Sequence, residues 1–152
     1  MPNLHRLLHM AFAALFVLAM SACTDAGLTA VAPEATLAGP TRTQTGFEAA
    51  DGTVTDPGNE PIRVTFEPDG EVGGQSITNR FDGTYHAVAN RRLSVETLET
   101  TLANPPEGSR YMEFYGALRA ASAYAVRGEA LRIAYGSEGQ ALRFARESAR
   151  PE

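Results

Sequence analysis

His86, the one histidine beyond the chain's first ten residues, and the hydroxyls of Ser76, Ser94, Ser109 and Ser122 are side chains that could support acyl-transfer chemistry. Such chemistry needs a base within hydrogen-bond reach of the nucleophile and an acid that orients the base. No G-x-S-x-G pattern surrounds any of these serines, so His86 is read as a solvent-facing strand residue and no catalytic residue is assigned. Asn79, Arg80, Asp82 and Gly83 form a second cluster. An arginine fork holds a carboxylate bidentately, which makes the cluster a candidate partner-binding site. The stronger reading is a structural turn: Asn and Asp bond nearby backbone, Gly83 permits unusual dihedrals, and an Arg80 to Asp82 contact fixes a bend. Arg127, Arg132 and Arg143 recur at the polar phase of later strands and are expected to pair with Glu129 or Glu147 on a solvated sheet face.

Composition narrows the remaining chemistry. The chain has 152 residues, 13 basic against 18 acidic, with no tryptophan and one cysteine. Every basic residue is arginine, which excludes Schiff-base catalysis and a P-loop lysine. A lone Cys23 can form neither an intramolecular disulfide nor a thiolate cage. No cofactor and no metal site are expected, and the chain is not read as an enzyme.

The start of the chain gives Cys23 a different task. Met10 to Met20 is an uncharged apolar run preceded by Arg6 and followed by Ser21 and Ala22. As a helix those residues rise about 16 Å, too short to span a bilayer, and the pattern is that of a secretory signal over residues 1–22. Met20-Ser21-Ala22-Cys23 resembles the lipobox of bacterial lipoproteins, in which the cysteine is acylated and becomes the new amino terminus. Thr24, in place of the aspartate that favours inner-membrane retention in Gram-negative lipoproteins, points to the outer membrane. Removing residues 1–22 takes Arg6 away and leaves 12 arginines against 18 acids, a balance of −6. That balance disfavours nucleic acid and anionic lipid, so membrane attachment rests on acyl chains at Cys23.

The elements that must position these residues read mainly as strands. Residues 23–46, rich in Ala, Thr, Gly and Pro, are expected to be a flexible tether, with the domain over 47–148. Ile62, Val64 and Phe66 alternate with polar neighbours before a Pro68-Asp69-Gly70 turn, and Phe81, Gly83, Tyr85 and Ala87 share one alternate face. Leu93 and Val95, Tyr124 and Val126, Leu131 and Ile133, and Leu142 and Phe144 repeat that period of two. Asn104-Pro105-Pro106-Glu107 carries a helix-start signature, and Tyr111, Phe114, Tyr115 and Leu118 form one helical stripe running to about Ala121. The expected class is α+β: a curved antiparallel or small barrel-like sheet covered by one amphipathic helix.

Ile62 to Phe66, Gly73 and Gly74, Asn79 to Tyr85, the helix with Tyr111 and Leu118, and the segments Leu131-Arg132-Ile133 and Leu142-Arg143-Phe144 together resemble the META domain, the HslJ-like group of bacterial envelope lipoproteins. The resemblance covers residues 61–146, and its sharpest motif is the N-R-x-x-G pattern of Asn79 to Gly83. It departs from the family where many members carry cysteines, here Thr78 and Thr100-Thr101-Leu102, and at a first-strand tryptophan that only Phe47 could replace. The resemblance implies a non-catalytic envelope protein, acting in envelope integrity or stress response through a protein or peptidoglycan-related partner. The alternative is a carrier holding a small apolar ligand between sheet and helix. A filled interior would count against that carrier.

Overall fold

The computed structural model describes residues 36–148. The signal segment, Cys23 and the start of the tether lie outside them. Alternation of apolar and polar residues produces the strands, named here in chain order: β1 (Arg42–Glu48), β2 (Val54–Thr55), β3 (Arg63–Phe66), β4 (Glu71–Gln75), β5 (Arg80–Val88), β6 (Arg92–Thr100), β7 (Ala121–Arg127), β8 (Ala130–Tyr135) and β9 (Ala141–Arg146). The helix α1 (Tyr111–Arg119) falls between β6 and β7. All pairings are antiparallel, and β1 returns to pair along β9, closing β1 and β3–β9 into an eight-stranded barrel. The two-residue β2 pairs with the far end of the same β1 edge that β3 uses, through Phe47 and Glu48. The small barrel-like antiparallel sheet with one helix expected from the sequence is therefore found among the described residues, and the class is mostly β where α+β was expected.

β1 corrects the expected tether. Leu37 is buried in the core and β1 begins at Arg42, so the folded unit starts well before Phe47 and the tether cannot extend through residue 46. The segment 36–41 closes one end of the barrel. Gly39 donates its amide to the Phe66 carbonyl at 2.8 Å, and the buried Arg42 guanidinium donates to the Thr36 and Leu37 carbonyls at 2.6 and 2.7 Å.

The helix starts later than its sequence signature suggests. Its cap is Arg110, not Asn104, because Gly108 adopts a φ of +79°, which no helix interior accommodates, and Ser109 closes a tight turn onto the Pro106 carbonyl. The first turn then draws its order from Arg110, which grips Glu113 with two hydrogen bonds and lies 3.9 Å over the Phe47 ring.

α1 sits where the barrel is weakest. β6 and β7 share one register pair, Arg92 with Ala123, and the rest of the β6 edge diverges from β7. The helix fills that gap: the Tyr115 hydroxyl donates to the Leu98 carbonyl on β6, and the Tyr111 hydroxyl pairs with Thr100. Its apolar stripe, Tyr111, Phe114, Ala117 and Leu118, is buried against the core. Phe114 packs against Phe81 and Phe144 with ring centroids at 5.4 and 6.3 Å, and Phe66 meets Tyr85 edge-on at 5.0 Å.

Candidate functional site

The cluster Asn79–Gly83 divides between frame and surface. Asn79 is buried and ties two loops together: its Oδ1 accepts from the Ala103 amide at 2.8 Å and the Thr101 hydroxyl at 3.1 Å, and its Nδ2 donates to the Ala103 carbonyl. Gly83 is not in a turn. It lies within β5 opposite Leu98, beside a bulge on β6 that brings the Thr97 carbonyl over its Cα, where an added Cβ would stand 1.7 Å from that oxygen. Only glycine fits there. Arg80 and Asp82, at the alternate phase of β5, are exposed on the outer face of the sheet. Among the described residues they form no ion pair with each other, so the expected contact across a bend is absent.

Those two side chains border an open groove of about 890 Å³ on the outer face of β3–β6. Its floor is Gly73, which pairs with Thr65 on one side and Asp82 on the other and leaves bare backbone between them. Glu67, Glu71, Asp82, Glu99 and Glu147 supply five carboxylates to its lining, against the guanidinium groups of Arg63 and Arg80. Arg63 pairs with Glu147 at 2.7 Å, which leaves the groove acidic with Arg80 as its projecting cation. A second depression of about 530 Å³ shares Arg63, Gln75 and Arg80 and continues past Asn79 to Ile77, which is 72% exposed at the rim.

Beneath this rim lies a residue that sequence reasoning missed. Glu60 is 1% exposed, yet its carboxylate has no cationic partner among the described residues. It accepts from the hydroxyls of Ser76 and Ser109 and from the Thr78 amide, the last at 2.8 Å. Burial pushes its pKa up, but the hydrogen bonds from Ser109, Ser76 and Thr78 outweigh burial and hold it below the usual carboxylate value. Two of the candidate nucleophiles are thus committed to binding a buried anion. No local signal could reveal this, since Ser76 and Ser109 lie 16 and 49 residues from Glu60.

The arginine stripe also finds a different partner. Arg132 and Arg143 stand opposite each other on β8 and β9, and both reach Glu48 of β1, at 2.8 and 2.6 Å. Glu129 and Glu147 do not take that role. The Arg132 hydrogen bond, against burial and with help from Arg143, lowers the Glu48 pKa. Arg127 is exposed at the end of β7. His86 lies opposite Ser94, with the Glu96 carboxylate 3.6 Å from its Nε2, and all three are on an exposed sheet face and line neither depression.

The space between sheet and helix, where a carrier would hold its ligand, is occupied by Phe66, Phe81, Tyr85, Tyr111, Phe114 and Phe144. The two depressions described above open on the outside of the barrel.

Comparison with known proteins gives the family and the fold. A family model described as the META domain matches residues 41–149. No curated protein matches the chain. Among solved structures, a DUF4847 family protein from Bacteroides vulgatus is similar with a TM-score of 0.55 and 19% identity, over 72% of this chain and 93% of that one. At that identity the likeness is one of fold.

Proposed function

The chain belongs to the META domain family, and from that premise we propose that it is a non-catalytic, lipid-anchored envelope protein that holds a protein or cell-wall partner in the groove over Gly73. The observation that carries this reading is the division of labour within Asn79–Gly83. Asn79 and Gly83 serve the frame, while Arg80 and Asp82 are left at the edge of a groove with an uncovered backbone floor. An open, polar cleft bearing carboxylates and a projecting guanidinium suits a peptide chain with amines and carboxylates of its own, and is ill suited to an apolar small molecule. Acylation at Cys23 supplies the anchor, and the Thr24 that follows favours the outer membrane, with the domain facing the periplasm. Envelope integrity or stress response is the role this arrangement serves.

Site-specific photo-crosslinking in the intact envelope tests the reading. A crosslinker placed at Gly73 or Thr84 should capture a defined partner that one placed at Arg127 does not, and Arg80→Ala should reduce the yield. Capture of the same proteins from all three positions, or of the protein alone, would overturn it. Cys23→Ser should release the protein from the outer-membrane fraction; continued fractionation there would sink the anchor.

A further inference from the structure

Two polar side chains point into the barrel from β1. Arg42 and Gln44, which alternate with Thr43 on the strand, are 2% and 3% exposed. The Arg42 terminal nitrogens are used: Nη1 donates to the Leu37 and Pro40 carbonyls and Nη2 to the Thr36 carbonyl. Among the described residues its Nε–H has no partner, and neither Nε2 nor Oε1 of Gln44 has one. The backbone amide of Gln44 donates to the Ile62 carbonyl at 2.8 Å. The strand positions beside it carry apolar side chains, Phe144 in direct register and the fully buried Ile62.

Three buried polar atoms without a partner would cost a large share of a small domain's stability, and native proteins place water at such points. The chemistry of the set selects the occupant. Two of the atoms sit in N–H donors and one is a carbonyl acceptor. An anion would satisfy the donors and repel Gln44 Oε1, and a metal cation would do the reverse. Flipping the amide exchanges Nε2 and Oε1 without supplying a partner to either. A molecule that both donates and accepts meets all three. Residues two apart on a strand are separated by roughly 6.6 Å, a span that one or two water molecules bridge.

We propose an internal hydration site in the barrel, beneath the segment 36–41, at which water bridges Arg42 Nε–H and the Gln44 side-chain amide. The site gives the third nitrogen of the buried guanidinium an acceptor without a carboxylate. It also makes Gln44 the residue that keeps this end of the core wet.

Nuclear magnetic resonance on the full chain, labelled with nitrogen-15, tests this directly. The Gln44 Nε2–H₂ and Arg42 Nε–H resonances should show cross-relaxation with water, with the sign of a long-lived bound molecule in paired NOE and ROE spectra. Absence of such peaks from both groups, or peaks arising only from proton exchange, overturns the proposal. Titration with formate should leave both resonances in place; a saturable shift would identify an anion as the occupant instead. Gln44→Met keeps the side-chain length and removes the amide, and should give a folded spectrum in which the Arg42 Nε–H water peak is lost. Its persistence would show that the two groups share no water.

Discussion

At the residue scale, Gly73 and Gly83 make opposite predictions from neighbouring strands. A Cβ on Gly83 would meet the Thr97 carbonyl at 1.7 Å, backbone that cannot move without undoing the β6 bulge, whereas on Gly73 the nearest atom is the Phe81 carbonyl oxygen at 3.6 Å. Gly83→Ala should therefore destabilise the domain by about 3 kcal/mol, and Gly73→Ala should change stability by less than about 0.5 kcal/mol, both read from urea unfolding. A substitution at Gly73 that alters partner capture thus reports on the groove, not on folding. The glycine in the motif was legible from sequence; its reason was not, because the Thr97 carbonyl arrives from a bulge on another strand. Glu60 makes a second prediction. Its folded pKa lies below the ordinary 4.5, so its contribution is fully present above that value and is lost as pH falls through it towards the folded pKa. Glu48 is lowered likewise and acts in the same direction. Melting temperature should hold from neutral pH to about 5 and then fall, and Glu60→Gln should flatten part of that fall. A melting temperature indifferent to acid would refute both assignments.

At the element scale, strands with apolar inner faces were readable, and those with polar inner faces were not. β3, β8 and β9 bury Val64 and Phe66, Leu131 and Ile133, and Leu142 and Phe144, so their period of two appears directly in the sequence. β1 buries Arg42 and Gln44 at the same phase, and this polar pattern resembled a tether. Tertiary contacts decided its structure, since its partners β3 and β9 lie far along the chain. The helix start was misread for a different reason: a turn fixed by Gly108 separates the Asn104 signature from the residues that become helical. The hairpin between β5 and β6 shows a local strain. Asn90 and Arg91 take φ of 70° and 60° in succession, a conformation that asparagine tolerates and arginine resists. Arg91→Gly should relieve that strain and, after the entropy gained by the unfolded chain, raise stability by about 0.5–1 kcal/mol. A raised urea midpoint with an unchanged m-value would bear this out, while a lowered midpoint would show that the Arg91 side chain contributes more than its backbone costs.

At the scale of the whole molecule, closure is the property that alternation could not reveal. A period of two identifies faces, but β1 meeting β9 depends on curvature accumulated over the strands between them. The chemistry of that closure sits on Glu48. Arg132 and Arg143 are register partners, and like charges directly opposite each other destabilise a sheet unless an anion stands between them. Glu48, with its side chain 12% exposed, supplies that anion from the strand that closes the barrel. The two guanidinium groups are 35% and 43% exposed, so solvent screens part of the attraction and Glu48→Gln should cost about 1–2 kcal/mol, not the larger penalty of a fully buried pair. The location of the effect is more diagnostic than its size. Amide hydrogen exchange in Glu48→Gln should speed up first along β1, β8 and β9, because opening the seam exposes those ladders, while β4 and β5 on the opposite side of the barrel keep their protection. Uniform acceleration in all strands would mean that the seam opens only with global unfolding, and that Glu48 stabilises the barrel without governing its closure.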